Sequence, residues 1–360
     1  MLYLGCDVHR DYTTLSCVNE DGDIITTNNV ANNREGIVQF LKHFPEEEFS
    51  VVLEAGLNWG MVYDLFESLG QVKCIALAHP PKVKAIASAK IKTDKIDAQI
   101  LARLLRVGLI PEVWIPAKDV RVLKDIVRFR AFVVKVNTMV KNRIHDLLHK
   151  AHITPPDVKD LFGLYGRQWL DEITLSDERL DVLLRLHLSI HETFKVKEQE
   201  TRKWIIRELH DRQDLQWVRT IPGIGEVFGA VIVLEIDDIN RFAGPAHLHS
   251  YCGLVPSTHL SGRTQYHGRL VRGNKWLRWA FVEGAHTSVR VSPYFRRHYN
   301  RVKVRAGTQA ASISSARKLA TVAYTILKEN RPYREIIETN RKSRLPSVRS
   351  SRDISGSGPE

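Results

Sequence analysis

Short apolar runs of strand length alternate with helical runs over roughly the first 110 residues, and no other feature constrains the fold as strongly. The first run, "LYLGCDVH", ends in an acid, and the next two are separated by Asp21-Gly22, a dipeptide typical of a hairpin turn. A meander followed by alternating strands and helices predicts a mixed sheet with helices on its faces. The later predicted strands are "SVVLEAG" and "KCIALA", and the predicted helices are "REGIVQFLKHF" and "MVYDLFESLG".

The pattern changes after about residue 116 to long helical stretches with few glycines. Apolar stripes run through "VRVLKDIVRFRAFVVKVNTMVKNRIHDLLHKA" and "ERLDVLLRLHLSIHETFKVKEQETRKWIIRELHD", and both stretches are densely charged. Such a pair predicts an antiparallel coiled-coil arm or an oligomerisation stalk. The alternative is two ordinary amphipathic helices that pack on the body of the protein.

The charge balance indicates a polyanionic partner. The formal net charge is +12 and the sequence pI is about 9.5, which favours nucleic acid. A membrane surface is the competing polyanion, but the sequence contains no 18-residue apolar run and no isolated basic amphipathic helix. The N-terminus lacks the segments of a signal peptide. The four cysteines (Cys6, Cys17, Cys74 and Cys252) have no paired spacing, so we interpret them as reduced, buried residues of a cytoplasmic protein.

Four carboxylates occupy positions where a substrate could meet a metal ion. Asp7 ends the first strand and Glu54 ends "SVVLE", each beside small residues that let a substrate backbone approach. Asp94 and Asp97, in "KTDKIDAQILARLL", share one face at the start of a helix. In open α/β sheets, ligands bind at the carboxyl ends of the strands. Acids that converge there repel one another unless cations separate them.

These acids predict a magnesium-dependent phosphoryl-transfer site. Mg²⁺ prefers oxygen ligands and completes its shell with phosphate oxygens, and a pair of ions about 4 Å apart stabilises both the nucleophile and the leaving group. Mn²⁺ is the alternative ion. In the structural alternative, Asp7 and Glu54 are turn or loop residues, Asp94 caps its helix after Thr93, and Asp97 interacts with the helix dipole.

The third part of the chain opens with "TIPGIGEVFGAVIVLEI", whose turn resembles the hairpin of a helix-hairpin-helix element. In such a hairpin, glycines expose backbone N–H groups to a phosphate, although many glycine turns bind nothing. A basic segment with interleaved Trp276 and Trp279 follows and predicts a nucleic-acid face, with Trp279 more typical of a core residue. The residues predicted to contact nucleic acid are Lys92, Lys95, Gly223, Gly225, Arg263, Arg269, Arg272, Asn274, Lys275 and Arg278.

Ser261 precedes Gly262 in a predicted loop, where its hydroxyl could meet a phosphate. A free serine is a weak nucleophile, so a metal or a nearby base would have to remove its proton. Ser257 lies four residues upstream and is the competing serine. The spacing of the neighbouring histidines fits no zinc signature; they are His247, His249, His259 and His267.

The motifs "GCDVH", "LEAG" and "KTDKIDA", in this order, resemble the DEDD motif of a bacterial transposase family, insertion-sequence family one-ten. The segments "IPGIG", "SGRTQYHGRLVRGNKWLRW" and "ARKLATVAYTILK" resemble its second conserved region, so the resemblance spans nearly the whole chain. It implies an RNase H-like (RuvC-like) N-terminal domain whose catalytic metal ligands are Asp7, Glu54, Asp94 and Asp97. Two features depart from the family pattern: "EAG" lacks the threonine of the frequent "EATG", and His9 is interpreted as a surface residue.

The resemblance also implies a mechanism and partners. Ser261 matches the serine that is implicated in attacking double-stranded DNA to form a covalent phosphoserine link. The family resemblance implies excision of a circular element, guidance by a structured bridge RNA, and a tetramer built from two dimers. It places the protein in the cytoplasm of a bacterium or archaeon, at the nucleoid. Because Ser261 is remote in sequence from the acids, the active site would be composite, within one chain or between subunits.

The expected organisation has four parts: an RNase H-like catalytic domain at 1–115, a helical coiled-coil arm at 116–213, a mostly α-helical transposase domain with the serine at 214–340, and a disordered basic tail at 341–360. Two rival functions are open to the sequence. One is a junction-resolving endonuclease that uses water, with Ser261 a mere loop residue. The other is a non-catalytic nucleic-acid-binding protein in which the acids only cap helices.

Overall fold

The computed structural model describes residues 1–87, 93–261 and 264–333; for 258–261 and 264–267 this description covers the backbone only. Two compact units divide the chain, Met1–Pro116 and Ala117–Glu360. Lys92, Arg263 and the tail at 341–360, all singled out from the sequence, lie outside the described residues.

Unit 1 is built on a mixed five-stranded sheet, which confirms the predicted architecture. Its strands are β1 (Leu2–Val8), β2 (Tyr12–Val18), β3 (Ile24–Ala31), β4 (Phe49–Glu54) and β5 (Val72–Ala78), in the order β3-β2-β1-β4-β5. β1, β2 and β3 pair antiparallel, whereas β1, β4 and β5 pair parallel. The turn between β2 and β3 contains Gly22 with φ +97°, a conformation that favours glycine.

Helices cover both faces of this sheet. They are α1 (Arg34–Leu41), α2 (Trp59–Glu67), α3 (Pro80–Ile86) and α4 (Asp94–Arg106). α1 and α2 pack over one buried cluster, and α3 and α4 pack over another on the opposite face. The sequence pattern predicted α1, α2 and α4, whereas α3, which opens with two prolines, was not predicted.

Gly5 of β1 allows α4 to lie directly against the sheet. A Cβ atom built on Gly5 would lie 2.1 Å from the backbone oxygen of Ala98 and 2.5 Å from the backbone nitrogen of Ala102, so any larger residue would push the helix away. The expectation that this small residue makes room for a substrate backbone is therefore wrong at Gly5, because α4 fills the space beside it.

Unit 2 begins with a pair of long helices, α5 (Lys118–Lys150) and α7 (Glu178–Glu208), with the short α6 (Leu164–Glu172) between them. Arg130 pairs with Glu198, and Asn137 pairs with His191. Residues later in α5 thus contact residues earlier in α7, which shows that the two helices run antiparallel. The pairing of the two long helices thus agrees with the sequence pattern, and a coiled-coil arm remains a prediction.

The rest of unit 2 surrounds one buried helix. α9 (Glu226–Ile236) has every residue from Gly229 to Ile236 buried, which explains why its sequence is apolar on all sides. Around it are α8 (Gln213–Arg219), a short 3₁₀ helix (Ile239–Arg241), α10 (Pro245–Tyr251), α11 (Lys275–Val291) and α12 (Pro293–Glu329). Trp276 and Trp279 both pack against this core, as expected for Trp279.

Two further sequence-based expectations need correction. The predicted loop at Ser261 is a β-hairpin, β6 (Pro256–Ser261) and β7 (Thr264–Leu270), in which Ser261 ends β6 and pairs with Thr264. Cys74 is exposed, whereas the other three cysteines are buried, because it lies in the less covered first half of β5. Among the described residues, no helix combines the length and apolar character that a membrane span requires.

Candidate functional site

The ends of β1 and β4 place two acids side by side. The parallel register pairs Cys6 with Leu53, so Asp7 and Glu54 follow as the next residues of neighbouring strands. Because side chains alternate along a strand, Asp7 points to the same face as Gly5, the face that α4 covers. The sequence predicted this convergence from the strand pattern alone.

The N-terminus of α4 brings the other two acids to this face. Thr93 caps the helix, since its Oγ1 accepts a hydrogen bond from the Ile96 backbone N–H at 3.3 Å. Asp94 is therefore the first helical residue and not the cap, which corrects the structural alternative. Asp94 and Asp97 both lie in the first turn, where the helix dipole stabilises negative charge.

His9 lies between two of the carboxylates. Its Nε2 is 3.2 Å from Asp7 Oδ2 and 3.1 Å from Asp94 Oδ2. The side chain is 34% exposed. His9 is thus partly exposed, and its contacts with Asp7 and Asp94 were not predicted from the sequence. A signal was available: His9 follows Asp7 by two residues, the spacing that returns a side chain to the same face of an extended segment.

The turn that carries His9 is fixed by neighbouring side chains. Asn32 Nδ2 donates to the His9 carbonyl oxygen at 2.9 Å, and Asn58 Nδ2 donates to the same oxygen at 3.3 Å. Tyr12, at the start of β2, donates its hydroxyl to Asp94 Oδ2 at 3.0 Å, and its ring centroid lies 4.8 Å from that of His9. The sequence pattern around Tyr12 indicates no role for this residue. These contacts hold His9 and Asp94 in place without using a lysine or an arginine.

The electrostatics of the cluster are dominated by Asp7. Burial raises the pKa of Asp7 above its ordinary value; the proximity of His9 lowers it, and the charges of Asp94 and Asp97 raise it further. The hydrogen bond to Asp94 likewise raises the pKa of the Tyr12 hydroxyl. Asp7 and Asp97 therefore lie close enough to repel each other. A divalent cation would remove this repulsion.

Three side chains of this cluster can reach one cation. One ligand atom each from Asp7, His9 and Asp94 lies within 4.8 Å of the others. Carboxylate oxygens are the ligands that Mg²⁺ and Mn²⁺ take, and Asp97 and Glu54 bring further carboxylates to the same end of the sheet. The donor set therefore fits a divalent metal ion.

The glycine turn before α9 has a packing function. Gly223 has φ +93°, and a Cβ atom there would lie 2.5 Å from the backbone nitrogen of Ser288 in α11. Gly225 is exposed and precedes Glu226, which pairs with Arg202 at 2.9 Å and Arg219 at 3.3 Å. A carboxylate thus already occupies the first turn of α9, where a phosphate would otherwise be favoured.

The residues predicted to contact nucleic acid fall into two groups. Asn274 caps α11 and donates to Glu235 at 2.9 Å, and the Arg278 guanidinium donates to the carbonyl oxygen of Val271 at 2.6 Å. Both side chains therefore form hydrogen bonds within unit 2. The exposed group retains solvent-facing cations: Lys95 in unit 1, and Arg269, Arg272 and Lys275 in unit 2. Ser261 belongs to unit 2, where its backbone ends β6.

Two family models match the chain. One, described as "Transposase", matches residues 4–153, and one, described as "Transposase IS116/IS110/IS902 family", matches residues 215–300. The first match contains all four acids and His9, and the second contains Ser261.

Similar proteins bear related names. A putative transposase y4qE of Sinorhizobium fredii is 28% identical over 91% of this chain and 78% of its own length. A pilin gene-inverting protein of Moraxella lacunata is 25% identical over 92% and 97%. The transposase for insertion sequence element IS1111A of Coxiella burnetii is 24% identical over 92% and 91%.

Proposed function

Because the chain belongs to the IS116/IS110/IS902 family of insertion-sequence transposases, which cleave DNA and transfer strands, we propose that it does so with Asp7, Glu54, Asp94 and Asp97 as metal ligands. We further propose that Ser261 forms a covalent link to DNA and that a structured RNA guides the reaction. The observation that carries the proposal is the convergence of Asp7, Asp94 and Asp97 beside the end of β1, without a lysine or arginine among their described contacts. The sheet order supports an RNase H-like domain.

The four acids would hold Mg²⁺, with Mn²⁺ as the alternative. When bound, the ion would supply Lewis-acid stabilisation of the charge that develops on the scissile phosphate. The residues of the chain set up this role: Gly5 lets α4 approach, and Thr93 starts the helix so that Asp94 and Asp97 face Asp7. His9 and Tyr12 orient the Asp94 carboxylate.

Ser261 would act as the nucleophile. Its hydroxyl loses a proton, its oxygen forms a bond to phosphorus, and a deoxyribose oxygen leaves with a proton, so one phosphoester replaces another. The energy of the broken bond is retained in the serine ester, which a second DNA end can attack. A relative whose name describes gene inversion supports this class of exchange, since inversion requires strands to be rejoined.

The exposed cations support nucleic-acid binding by both units. Lys95 lies beside the acids, and Arg269, Arg272 and Lys275 flank the start of α11. With a net charge of +12, the chain can neutralise many phosphates, and each contact releases counterions. We therefore expect binding of DNA and of the guide RNA to weaken steeply between about 50 and 200 mM salt.

The long helices support a homo-oligomer. Both expose large apolar side chains to solvent along their length: Phe129, Phe132 and Met139 on α5, and Val182, Leu186, Ile190 and Trp204 on α7. An apolar stripe of this extent is typical of an interaction surface, and helical arms commonly pair with a second copy. We expect wild type to be a dimer or tetramer and Phe129→Glu with Leu186→Glu to be smaller, as measured by light scattering. An unchanged mass would contradict this role for the stripe.

The serine chemistry is tested with Ser261→Ala against Ser257→Ala as the matched control. With element-end DNA, divalent metal and co-purified RNA, wild type and Ser257→Ala should form a protein–DNA adduct that survives denaturation. Ser261→Ala should form none while it still binds DNA. If Ser261→Ala cleaves DNA normally, the protein is a water-dependent endonuclease instead.

The guide is tested by sequencing RNA that co-purifies with the full chain. A discrete RNA encoded beside the gene, whose removal by nuclease stops recombination, is the expected result. Random cellular RNA, or recombination that persists after nuclease treatment, would reject guidance while leaving the metal site untouched.

A further inference from the structure

A cavity of about 430 Å³ lies in unit 2 between α11 and α12. Its wall includes His286 and Arg290 from α11, and Tyr299, Ser312 and Ser315 from α12. The volume falls within the roughly 300–1,000 Å³ range of pockets that hold small ligands. The function proposed above does not use this cavity.

A kink in α12 gives the cavity its shape. Gly307 has φ 82° and ψ 173°, which breaks the helix at a backbone conformation that favours glycine. Ser312 follows Tyr299 by 13 residues, which in a straight helix would separate them by about 20 Å along the axis. Because the helix bends between them, both residues line the same cavity.

The wall combines an aromatic ring with two serine hydroxyls, of which that of Ser315 is buried. Ser315 is 0% exposed, and its Oγ has no hydrogen-bond partner among the described residues. Buried polar groups are nearly always hydrogen-bonded, so this hydroxyl is an unusual feature of a helix interior. Ser312 Oγ donates to the Thr308 carbonyl oxygen at 3.1 Å and keeps its own lone pairs as acceptors. A ligand with a flat face and both donors and acceptors at its edge would match this wall.

The surroundings of the cavity are strongly basic. From Gly284 to Lys328 the sequence contains nine lysines and arginines and no aspartate or glutamate. Arg290 is exposed at the cavity, and no acidic partner for it occurs among the described residues. A cation without an internal partner, in a segment free of acids, favours an anionic ligand such as a phosphate.

We propose that this cavity binds one unpaired nucleotide of DNA or RNA. The base stacks on Tyr299 and presents its edge to Ser312, and the adjoining phosphate pairs with Arg290. Stacking on an aromatic ring and contact with a cation are the two means by which proteins hold single-stranded nucleic acid. A base leaves the stack most easily where it is already unpaired, so the cavity selects bulges and branch points over intact duplex.

This inference rests on the proposed function only in that the protein handles nucleic acid. The test therefore measures binding and no catalysis, with the full-length Asp97→Asn chain in a buffer free of divalent metal. The probes are a short DNA duplex with one extrahelical nucleotide, the fully paired duplex of the same sequence, and the corresponding two RNAs. We expect about tenfold tighter binding of the bulged probe, from one stacked base. Fluorescence of 2-aminopurine at the bulge should fall on binding.

Variants locate this preference in the cavity. Ser312→Phe fills the space, and Tyr299→Ala removes the stacking surface; each should bring the bulged-to-paired affinity ratio close to one. Tyr299→Phe keeps the ring and should keep the ratio. Arg290→Ala should lower the ratio, whereas Arg305→Ala, an exposed arginine of α12 outside the wall, should weaken both probes equally. If Ser312→Phe does not fold, the tyrosine pair carries the same test.

Two results would overturn the proposal. One is equal binding of bulged and paired probes by the unsubstituted cavity, in both the DNA and the RNA arm. The other is an undiminished preference in Tyr299→Ala. A preference confined to the DNA arm identifies the transposon or target strand as the source of the nucleotide, and one confined to the RNA arm identifies the guide. Loss of adduct formation by Ser261→Ala, the test of the proposed function, has no bearing on either outcome.

Discussion

Two regions of the molecule shield a carboxylate from solvent, one beside other negative charges and one beside hydrogen-bond donors. At the sheet end of unit 1, Asp7 lies near Asp94 and Asp97, and burial together with these like charges raises its pKa. Inside unit 2, Glu235 is 4% exposed. It accepts hydrogen bonds from Arg128 at 2.7 and 3.0 Å and from Asn274 at 2.9 Å.

The comparison separates a structural acid from a functional one. Arg128 and Asn274 satisfy both oxygens of Glu235, and thereby tie α5 and the cap of α11 to α9. The acids beside β1 instead meet a histidine and a tyrosine, and they repel one another. Repulsion of this kind costs stability, so a protein keeps such acids together only where a cation or a substrate compensates.

The largest expected effect is that of Asp7→Asn on catalysis. Loss of a metal ligand should remove several kcal/mol of transition-state stabilisation, or roughly 10³-fold in the rate of metal-dependent DNA cleavage. The same substitution should raise the melting temperature of the metal-free protein, because it removes the repulsion from Asp94 and Asp97.

Asp11→Asn is the matched control for charge. Asp11 is an exposed carboxylate of the turn after β1, and its loss should change neither cleavage nor melting. Equal cleavage by Asp7→Asn and wild type would remove the distinction between the two regions. Cleavage rates and thermal melts of the two variants decide this.

Glu235→Ala should have the opposite signature, a loss of stability. Removing one side of a buried ion pair leaves Arg128 and Asn274 without their acceptor. We expect a cost of about 3 kcal/mol, at the lower end for such pairs because the Arg128 side chain is 38% exposed and can reach water. Urea denaturation measures it. Glu226→Ala, which breaks the half-exposed pairs with Arg202 and Arg219, should cost less than about 1 kcal/mol.

Gly5→Ala tests whether close packing places the acids. The new methyl group would meet the backbone of α4, so the helix must shift and carry Asp94 and Asp97 away from Asp7. We expect about 1–3 kcal/mol of destabilisation together with weaker metal binding, measured by calorimetric titration with Mn²⁺. A Cβ on Gly70 would meet nothing within 4 Å, so Gly70→Ala should leave both properties unchanged. Normal metal binding by Gly5→Ala would refute the coupling.

The smallest expected effect concerns His191, whose Nδ1 lies 2.6 Å from Asn137 Oδ1 between α5 and α7. Burial lowers the pKa of His191 below its ordinary 6.5. As the pH falls, His191 therefore becomes protonated in the unfolded chain at a higher pH than in the folded chain. The contribution of His191 to stability should therefore be full above pH 6.5 and fall below it, by at most about 1.4 kcal/mol per pH unit. Burial also lowers the pKa values of His249 and His298, so His191→Gln should weaken this pH dependence without abolishing it in denaturation curves recorded from pH 5 to 8. The exposed His187→Gln should keep it.

Local patterns predicted much of unit 1 and of the acidic site. Strand and helix periodicity located the five strands and the acids at their ends, because each pattern depends on neighbours in sequence. Tyr12 was not predicted because its partner, Asp94, lies 82 residues away, whereas His9 could have been found from its two-residue spacing from Asp7. The sequence did not predict the β-hairpin at Ser261 because its strands are mostly polar and lack the apolar pattern of the strands in unit 1. Asn274 and Arg278 were predicted to contact nucleic acid from their position in a basic segment, whereas both form hydrogen bonds within unit 2.

By itself, the sequence determined which residues carry charge and where most strands and helices of unit 1 lie, since periodicity and capping depend on residues that are close in sequence. The motifs that resemble the transposase family also keep their order along the chain, and two transposase models match the segments that contain them. Only the tertiary structure decided which charges lie close together: Asp7 lies near Asp94 and Asp97, and Glu235 is paired with Arg128. It also decided that the kink at Gly307 shapes a cavity. Electrostatic energy depends on distance and burial, and neither is a property of any segment considered alone.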